Sequence, residues 1–251
     1  MAVSLPRPFR AVDQASVTRL FLRAWRRDQD PPLPRDYVCP FGLSIFVVAV
    51  WMMHTCVRLP VTMAIILALG AVITGFRANR HRSLERYLDA SLRQGVGDLD
   101  CYCRKSNSGR PYRRCWVMED GSHAVVGFVV LQCRRSDRGR AWLPPHGVAT
   151  AAASRQPGLA TIQWLAVDEH FQRQGVASAL LRCAENYCRA LEPSSDDGFS
   201  PCHHLRLVCS SAQRGPLDFY KRAHHYTEEH RTEYLWDSAW ESGIFLWKRL
   251  R

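Results

Sequence analysis

Gln172-Arg173-Gln174-Gly175-Val176-Ala177 is the stretch whose residue types and spacing could do chemistry. An apolar run from Thr161 to Val167 leads into it through Asp168-Glu169-His170, and a helical pattern follows to Ala190. A strand, a basic glycine-bearing turn and a helix, in that order, offer an anion backbone N–H groups that have no partner within the helix. Gly175 lets the chain approach a ligand where a side chain would collide. The helix dipole brings its positive end to the same spot. The chemistry this favours is a grip on phosphate. Gly-x-Ala at a helix start is common, so the hexapeptide gains its specificity from the strand before it and the amphipathic helix after it.

Other residues have a functional and a plainer reading. Arg173 adds charge to a phosphate cradle or is an exposed arginine. Gln172 is a ligand or a helix cap. Tyr220 stands in a helical segment, Pro216 to His225, with proline near its first turn. A lone tyrosine on a helix is more often a core residue with a wet hydroxyl, and Phe219 beside it suits packing. Asp168 and Glu169 suit capping as well as base chemistry. His170 titrates near neutrality, yet a loop histidine beside a basic turn is more often solvated. Cys101-x-Cys103 and Cys202-His203-His204 lack the Cys-x-x-Cys spacing of a zinc site, and no metal is expected.

The elements that must position these residues lie in a chain of 251 residues, enough for one full core plus an insert. A net charge of +11 suits an anionic partner: nucleic acid, anionic membrane or a polyphosphate. The basic residues are mostly arginine and scattered, without a basic tail, which argues against nucleic acid. Ten cysteines in so long and apolar a chain, with no apolar segment in MAVSLPRPFRAVDQ, read as reduced thiols facing cytosol.

In chain order, Phe9 to Val12 reads as a short strand. Asp13 to Arg27 reads as a helix capped by Asp13 and stopped by Pro31, Pro32 and Pro34. Phe41 to Phe76 holds two apolar runs around Arg58-Leu59-Pro60. Together they exceed the roughly 20 residues of one span, and each alone is short. A hairpin that enters and returns, a single tilted span, and a buried helix pair are the three readings. Arg23, Arg26, Arg27 and Arg35 before the runs, and Arg77, Arg80, Arg82 and Arg86 after them, favour the hairpin with both ends cytoplasmic. Arg77 to Arg93 is an amphipathic helix, and Cys101 to Arg113 a polar loop. Cys115 to Glu119 and His123 to Cys133 are strands around an Asp-Gly turn. Arg134 to Gly158 and Pro193 to Pro201 are loops. His204 to Ser210, Tyr226 to Leu235 and Gly243 to Leu250 are the remaining strands.

The Gln-x-x-Gly-x-Ala turn within this order of elements resembles the GNAT N-acetyltransferases. The apolar insert with ERYLDASLRQGVGDLDCY and RCWVMEDGSHAVVGFVVLQ resembles their camello-like, membrane-bound branch. The resemblance implies an α/β GNAT fold, a mixed sheet flanked by helices, with a membrane hairpin inserted after the first helix. Residues 1–37 would hold the first strand and helix, 38–76 the hairpin, and 77–251 the rest of the catalytic domain. A single span would part the first strand from its sheet, so the fold argues for the hairpin too.

The resemblance also implies roles. Ala166 and Val167 would pair with the pantetheine arm of acetyl-CoA. Gln172, Arg173, Gln174, Gly175, Val176 and Ala177 would hold its pyrophosphate, and Tyr220 would protonate the departing thiolate. No general base is evident; a water relay is as good a reading as His170. The expected partners are acetyl-CoA, an amine acceptor and a lipid membrane, with no nucleic acid. The expected place is the endoplasmic reticulum, with the catalytic domain cytosolic. Two departures stand out. His225-Tyr226 replaces the family's Gly-Phe, which removes a glycine stop. Thr161 and Trp164 stand where some relatives carry a Glu and an Arg near the acceptor, which points away from an aspartate-type acceptor and toward a bulkier amine. A catalytically idle scaffold on the same fold is the alternative function.

Overall fold

A computed structural model describes residues 3–27, 60–104, 113–133, 159–191, 202–210, 213–233 and 242–250, with positions 47, 48, 50–52, 54 and 55. The expected loops at 134–158 and 193–201, and most of the first apolar run, fall outside the described residues.

One seven-stranded sheet organises the chain: β1 (Arg7–Pro8), β2 (Arg113–Glu119), β3 (Val125–Cys133), β4 (Leu159–Val167), β5 (His204–Ser210), β6 (Thr227–Glu233) and β7 (Ser242–Arg249). Its order is β1-β2-β3-β4-β5-β7-β6. Every neighbouring pair is antiparallel except β4–β5, which is parallel. Its helices are α1 (Gln14–Arg27), α2 (Val61–Gln94), α3 (Leu99–Arg104), α4 (Val176–Ala190) and α5 (Arg214–Asp218), the last running into a π-helical turn, Phe219–Ala223.

Two apolar layers sandwich the sheet. Val176, Leu180, Leu181 and Ala184 of α4 pack against Val129 and Leu131 of β3 and Leu205 and Leu207 of β5. Val17 and Phe21 of α1, Leu88 of α2 and Leu99 of α3 pack against Phe128 and Val130 on the other face. The first strand departs from expectation. β1 is Arg7–Pro8, and Ala11–Asp13 closes a 3₁₀ turn instead. The cause is electrostatic: Arg7 forks onto both oxygens of buried Asp13 at 2.8 Å, and Asp13 also accepts from the Arg10 amide at 2.8 Å. Gln14 then bridges α1 to the start of α3, donating to the Val96 carbonyl at 2.7 Å and accepting from the Leu99 amide at 2.8 Å.

The second apolar run and the amphipathic stretch after it form a single helix, the 34-residue α2. No proline separates them, and the helix runs through Gly75 at the junction without a break. Its C-terminal half buries Leu88 and Ser91, whereas Met63, Ile65, Ile66 and Leu67 in its N-terminal half stay exposed. Among the described residues, no helix is long and apolar enough to cross a membrane. The Asp-Gly signal does mark a hairpin, but by another turn. Asp120 caps it by accepting from Ser122 and Ala124, and His123, with φ of 64°, takes the left-handed position. The expected polar loop begins inside a helix, since α3, Leu99–Arg104, takes in its first four residues.

β4 carries an irregularity that sets up the site. Val130 pairs with Trp164 and Leu131 with Ile162, which leaves Gln163 as an extra residue. A one-residue bulge flips every later side chain to the opposite face. Ala160 and Ile162 accordingly join the layer under α4, whereas Trp164 and Ala166 join the layer under α1 and α2.

Candidate acyl-donor site

β4 and β5 pair at only three positions, Leu159 with His204, Ala160 with Leu205 and Thr161 with Arg206. Beyond Thr161 the two strands run on to Val167 and Ser210 without pairing, so the sheet opens in a cleft. The Asp168 amide donates to the Val126 carbonyl at 2.8 Å. Alternation along an antiparallel ladder then turns the peptide groups of Leu165 and Val167 away from β3, toward the open edge. Of the two expected strand residues, Val167 faces the cleft. Ala166 directs its own peptide groups to its partner Phe128. Leu165 replaces it, and only the bulge, invisible in the sequence, could have indicated that.

At the end of that edge the chain turns sharply. Arg173 has φ of 61° and Gly175 φ of 84°, both left-handed. A Cβ at Gly175 would meet no atom, so this glycine serves the backbone conformation and an unobstructed approach. Arg173 takes the same region with a full side chain, at a cost of about 1–2 kcal/mol. The first α4 amide with an intrahelical acceptor is Ala179, donating to the Gly175 carbonyl at 2.9 Å. Those of Val176, Ala177 and Ser178 have none within the helix and point out of its positive end. Gln172, Arg173, Gln174 and Gly175 are exposed around them, while Val176 is buried beneath and anchors the turn. The Gln174 side chain ties back to the His170 carbonyl at 2.7 Å. Gly127 in β3 lets the helix settle this low, since a Cβ there would lie 2.8 Å from Val176 and 3.0 Å from Leu180.

Tyr220 lies in the π-helical turn, a deviation concentrated at functional sites. It is buried in the same layer as Val176 and Phe171, with its ring edge-on to Phe219 and Tyr226. Burial pushes the phenol pKa up, so it stays protonated as a proton donor must. Buried His224 closes this turn against α4, its Nε2 lying 3.0 Å from Ser178 Oγ in the first turn of that helix. His225, with φ of 58°, then stops the helix in the conformation that glycine fills most easily. The Ser178–His224 contact carried no sequence signal, because the partners lie on different elements.

The candidate bases are otherwise engaged. Asp168 accepts from the His170 amide at 3.1 Å and pairs with Arg23 of α1 at 3.0 Å. His170 is largely exposed beside Glu169. Trp164 is buried in an aromatic cluster with Phe21 and Tyr102, at ring separations of 6.3 and 5.6 Å. Thr161 lies in the paired part of β4. Neither residue faces the open edge.

A strand edge left open beside an unpaired helix N-terminus, with a protonated tyrosine in a turn that His224 ties to that helix, suits an extended, anionic acyl carrier. A family model described as Acetyltransferase (GNAT) domain matches residues 111–224. No curated protein sequence matches the chain. Among solved structures, an acetyltransferase of the GNAT family from Staphylococcus aureus aligns at 10% identity over 100% of both chains, with a TM-score of 0.47. The ribosomal-protein-S18-alanine N-acetyltransferase from Escherichia coli aligns at 13% identity over 62% of this chain and 77% of its own, with a TM-score of 0.41. NAA60 from Arabidopsis thaliana aligns at 15% identity over 55% of this chain and 75% of its own, with a TM-score of 0.41. At identities this low the assignment rests on the family match. Residues 111–224 are similar to the GNAT acetyltransferase domain, an enzyme class that draws its acetyl group from acetyl-CoA.

Proposed function

We propose that this chain is a membrane-anchored N-acetyltransferase that moves the acetyl group of acetyl-CoA to a primary amine, either a small amino-acid conjugate or a protein lysine. The observation that carries the reading is the open β4 edge, Leu165 and Val167, ending at the unpaired amides of α4. The pantetheine arm would lie along that edge, and the pyrophosphate would take the amides from Arg173 to Ser178. An unprotonated amine attacks the thioester carbon, the C–S bond breaks, and the thiolate takes a proton from the Tyr220 hydroxyl. The proton lost by the amine passes to solvent, since no described side chain offers itself as base, and Tyr220 recovers its proton from solvent before the next turnover. Holding both reactants in register supplies much of the acceleration.

Membrane attachment is supported by the exposed apolar side chains of Val47, Val48, Trp51 and Met52, and of Met63, Ile65, Ile66 and Leu67. An exposed apolar set of this size calls for a non-aqueous neighbour. The apolar N-terminal end of α2, dipping into the bilayer or lying in its interface, fits these residues. The branch with camello-like relatives, the endoplasmic reticulum and a cytosolic catalytic face belong to the same proposal.

The test is mass spectrometry of the purified full chain with acetyl-CoA and a panel of amines. Acetylated product with CoA release is expected, and Tyr220→Phe should lower kcat by about 10²-fold with little change in KM for acetyl-CoA. Acetyl-CoA binding with no product on any amine, and with wild type and Tyr220→Phe indistinguishable, would establish the idle scaffold instead.

A further inference from the structure

The far end of α4 holds a cluster the acyl-donor site does not use. Cys133 closes β3, Cys188 lies in the last turns of α4, and Cys202 just precedes β5. Their sulfur atoms lie within 4.8 Å of one another, and the three residues are 2%, 1% and 6% exposed. None is disulfide-bonded. At 1.5 Å per residue, Cys188 is about 18 Å along the helix from Val176, clear of the acyl donor.

Comparison with the other buried thiols shows what is unusual. Cys115 and Cys209 each direct the sulfur to a backbone carbonyl, at 3.9 and 3.6 Å. Cys133, Cys188 and Cys202 have one another as hydrogen-bonding partners.

We propose that Cys133, Cys188 and Cys202 form a three-thiolate site for a soft metal ion, zinc(II) or copper(I), that staples β3, α4 and the entry to β5. Three sulfurs around an ion at about 2.3 Å stand about 4.0 Å apart, so rotamer adjustments of under about 1 Å close the site. Soft thiolate sets select these ions over hard ones. On binding, the thiols release their protons to solvent and the sulfurs donate lone pairs, with no redox change. Zinc leaves the site one net negative charge and copper(I) two. Among the described residues no fourth ligand joins the cluster. Cys202 and His203 alternate along an extended chain, the first buried and the second exposed. The ion is structural and stands apart from acetyl transfer, which needs none.

The experiment uses the full chain, reduced, stripped with chelator and titrated anaerobically with zinc(II) or copper(I) in separate arms. Wild type should take up about one more equivalent than the Cys133→Ser/Cys188→Ser/Cys202→Ser variant, whereas Cys101→Ser/Cys103→Ser should match wild type. Metal should also raise the melting temperature of wild type and leave the triple variant unmoved. The arm with the tighter competition against a chelator identifies the ion. Equal uptake by wild type and the triple variant overturns the site, as does a native disulfide between two of the three thiols with no metal uptake after reduction. Should the triple variant fail to fold, alkylation of wild type during a brief denaturant pulse decides the matter. Metal should shield Cys133, Cys188 and Cys202 more than Cys115 and Cys209, and equal shielding overturns the proposal.

Discussion

The two ends of α4 do opposite work. At its N-terminus the backbone is exposed and electropositive, and Gly175 clears the approach to amides that the helix leaves unpaired. At its C-terminus three side chains converge in a sealed apolar site, and the backbone takes no part. The first end can serve a ligand that comes and goes; the second suits an ion that stays. Between them, buried Glu185 accepts two bonds from Lys248 of β7, at 2.8 and 3.0 Å, and fixes the helix to the sheet. A helix pinned at its middle can hold one end rigid for a phosphate while the other locks the strands. The lesson is that one amphipathic helix supplies two chemistries by using backbone at one pole and side chains at the other.

Substitutions that separate or join the poles test that division. The largest effect is expected at the pin. Lys248→Ala leaves the buried Glu185 carboxylate with Arg189, at 3.5 Å, as its remaining cation and should cost about 3 kcal/mol in denaturant unfolding. It should weaken both poles together. Gly127→Ala puts a methyl group against Val176 and Leu180 and should cost about 1–3 kcal/mol. Because it lifts the N-terminal turn, acetyl-CoA affinity should fall while the reactivity of Cys133, Cys188 and Cys202 is unchanged.

A pH effect should be confined to the N-terminal pole. Burial holds the His224 pKa below its ordinary value of 6.5. The folded state therefore binds fewer protons at this site than the unfolded chain. Its stabilising contribution is complete above about pH 6.5 and is lost as pH falls through the lowered folded value. Melting temperature should decline on acidification through this window, less steeply in His224→Gln, as thermal scans between about pH 7 and pH 5 would record. The smallest effect is a gain. His225→Gly removes a left-handed strain and should stabilise the domain by about 0.5–1 kcal/mol, read from the unfolding midpoint, with the Tyr220 turn intact.

Much of the N-terminal pole was legible in sequence because it is local. A strand run, a basic glycine turn and an amphipathic helix are consecutive, and their physics is written in adjacent residues. β5, β6 and β7 were legible for the same reason, since alternation and turn residues mark them. The Gln163 bulge was not, because β4 alternates on both sides of it and only the register against β3 shows the extra residue. That one residue decides that Leu165, not Ala166, faces the cleft. It also carries Trp164 into the layer beneath α1 and α2. The thiol cluster escaped notice because its cysteines come from three elements at spacings that no local motif encodes. Cys101-x-Cys103 and Cys202-His203-His204 drew attention through proximity in sequence, which says nothing about proximity in space. The continuity of α2 is not legible because a change from apolar to amphipathic composition, with Gly75 at the junction, looks like a boundary, yet the helix runs through it.

The central claim is that the unpaired amides of α4, reached through Gly175, hold the acyl donor. The direct measurement is acetyl-CoA binding to the full chain and to Gly175→Val by calorimetry. Wild type should bind. The variant, forced to place a branched side chain at φ of 84° in the phosphate path, should bind at least about 100-fold more weakly while still folding. Equal affinity in the two proteins would contradict the account.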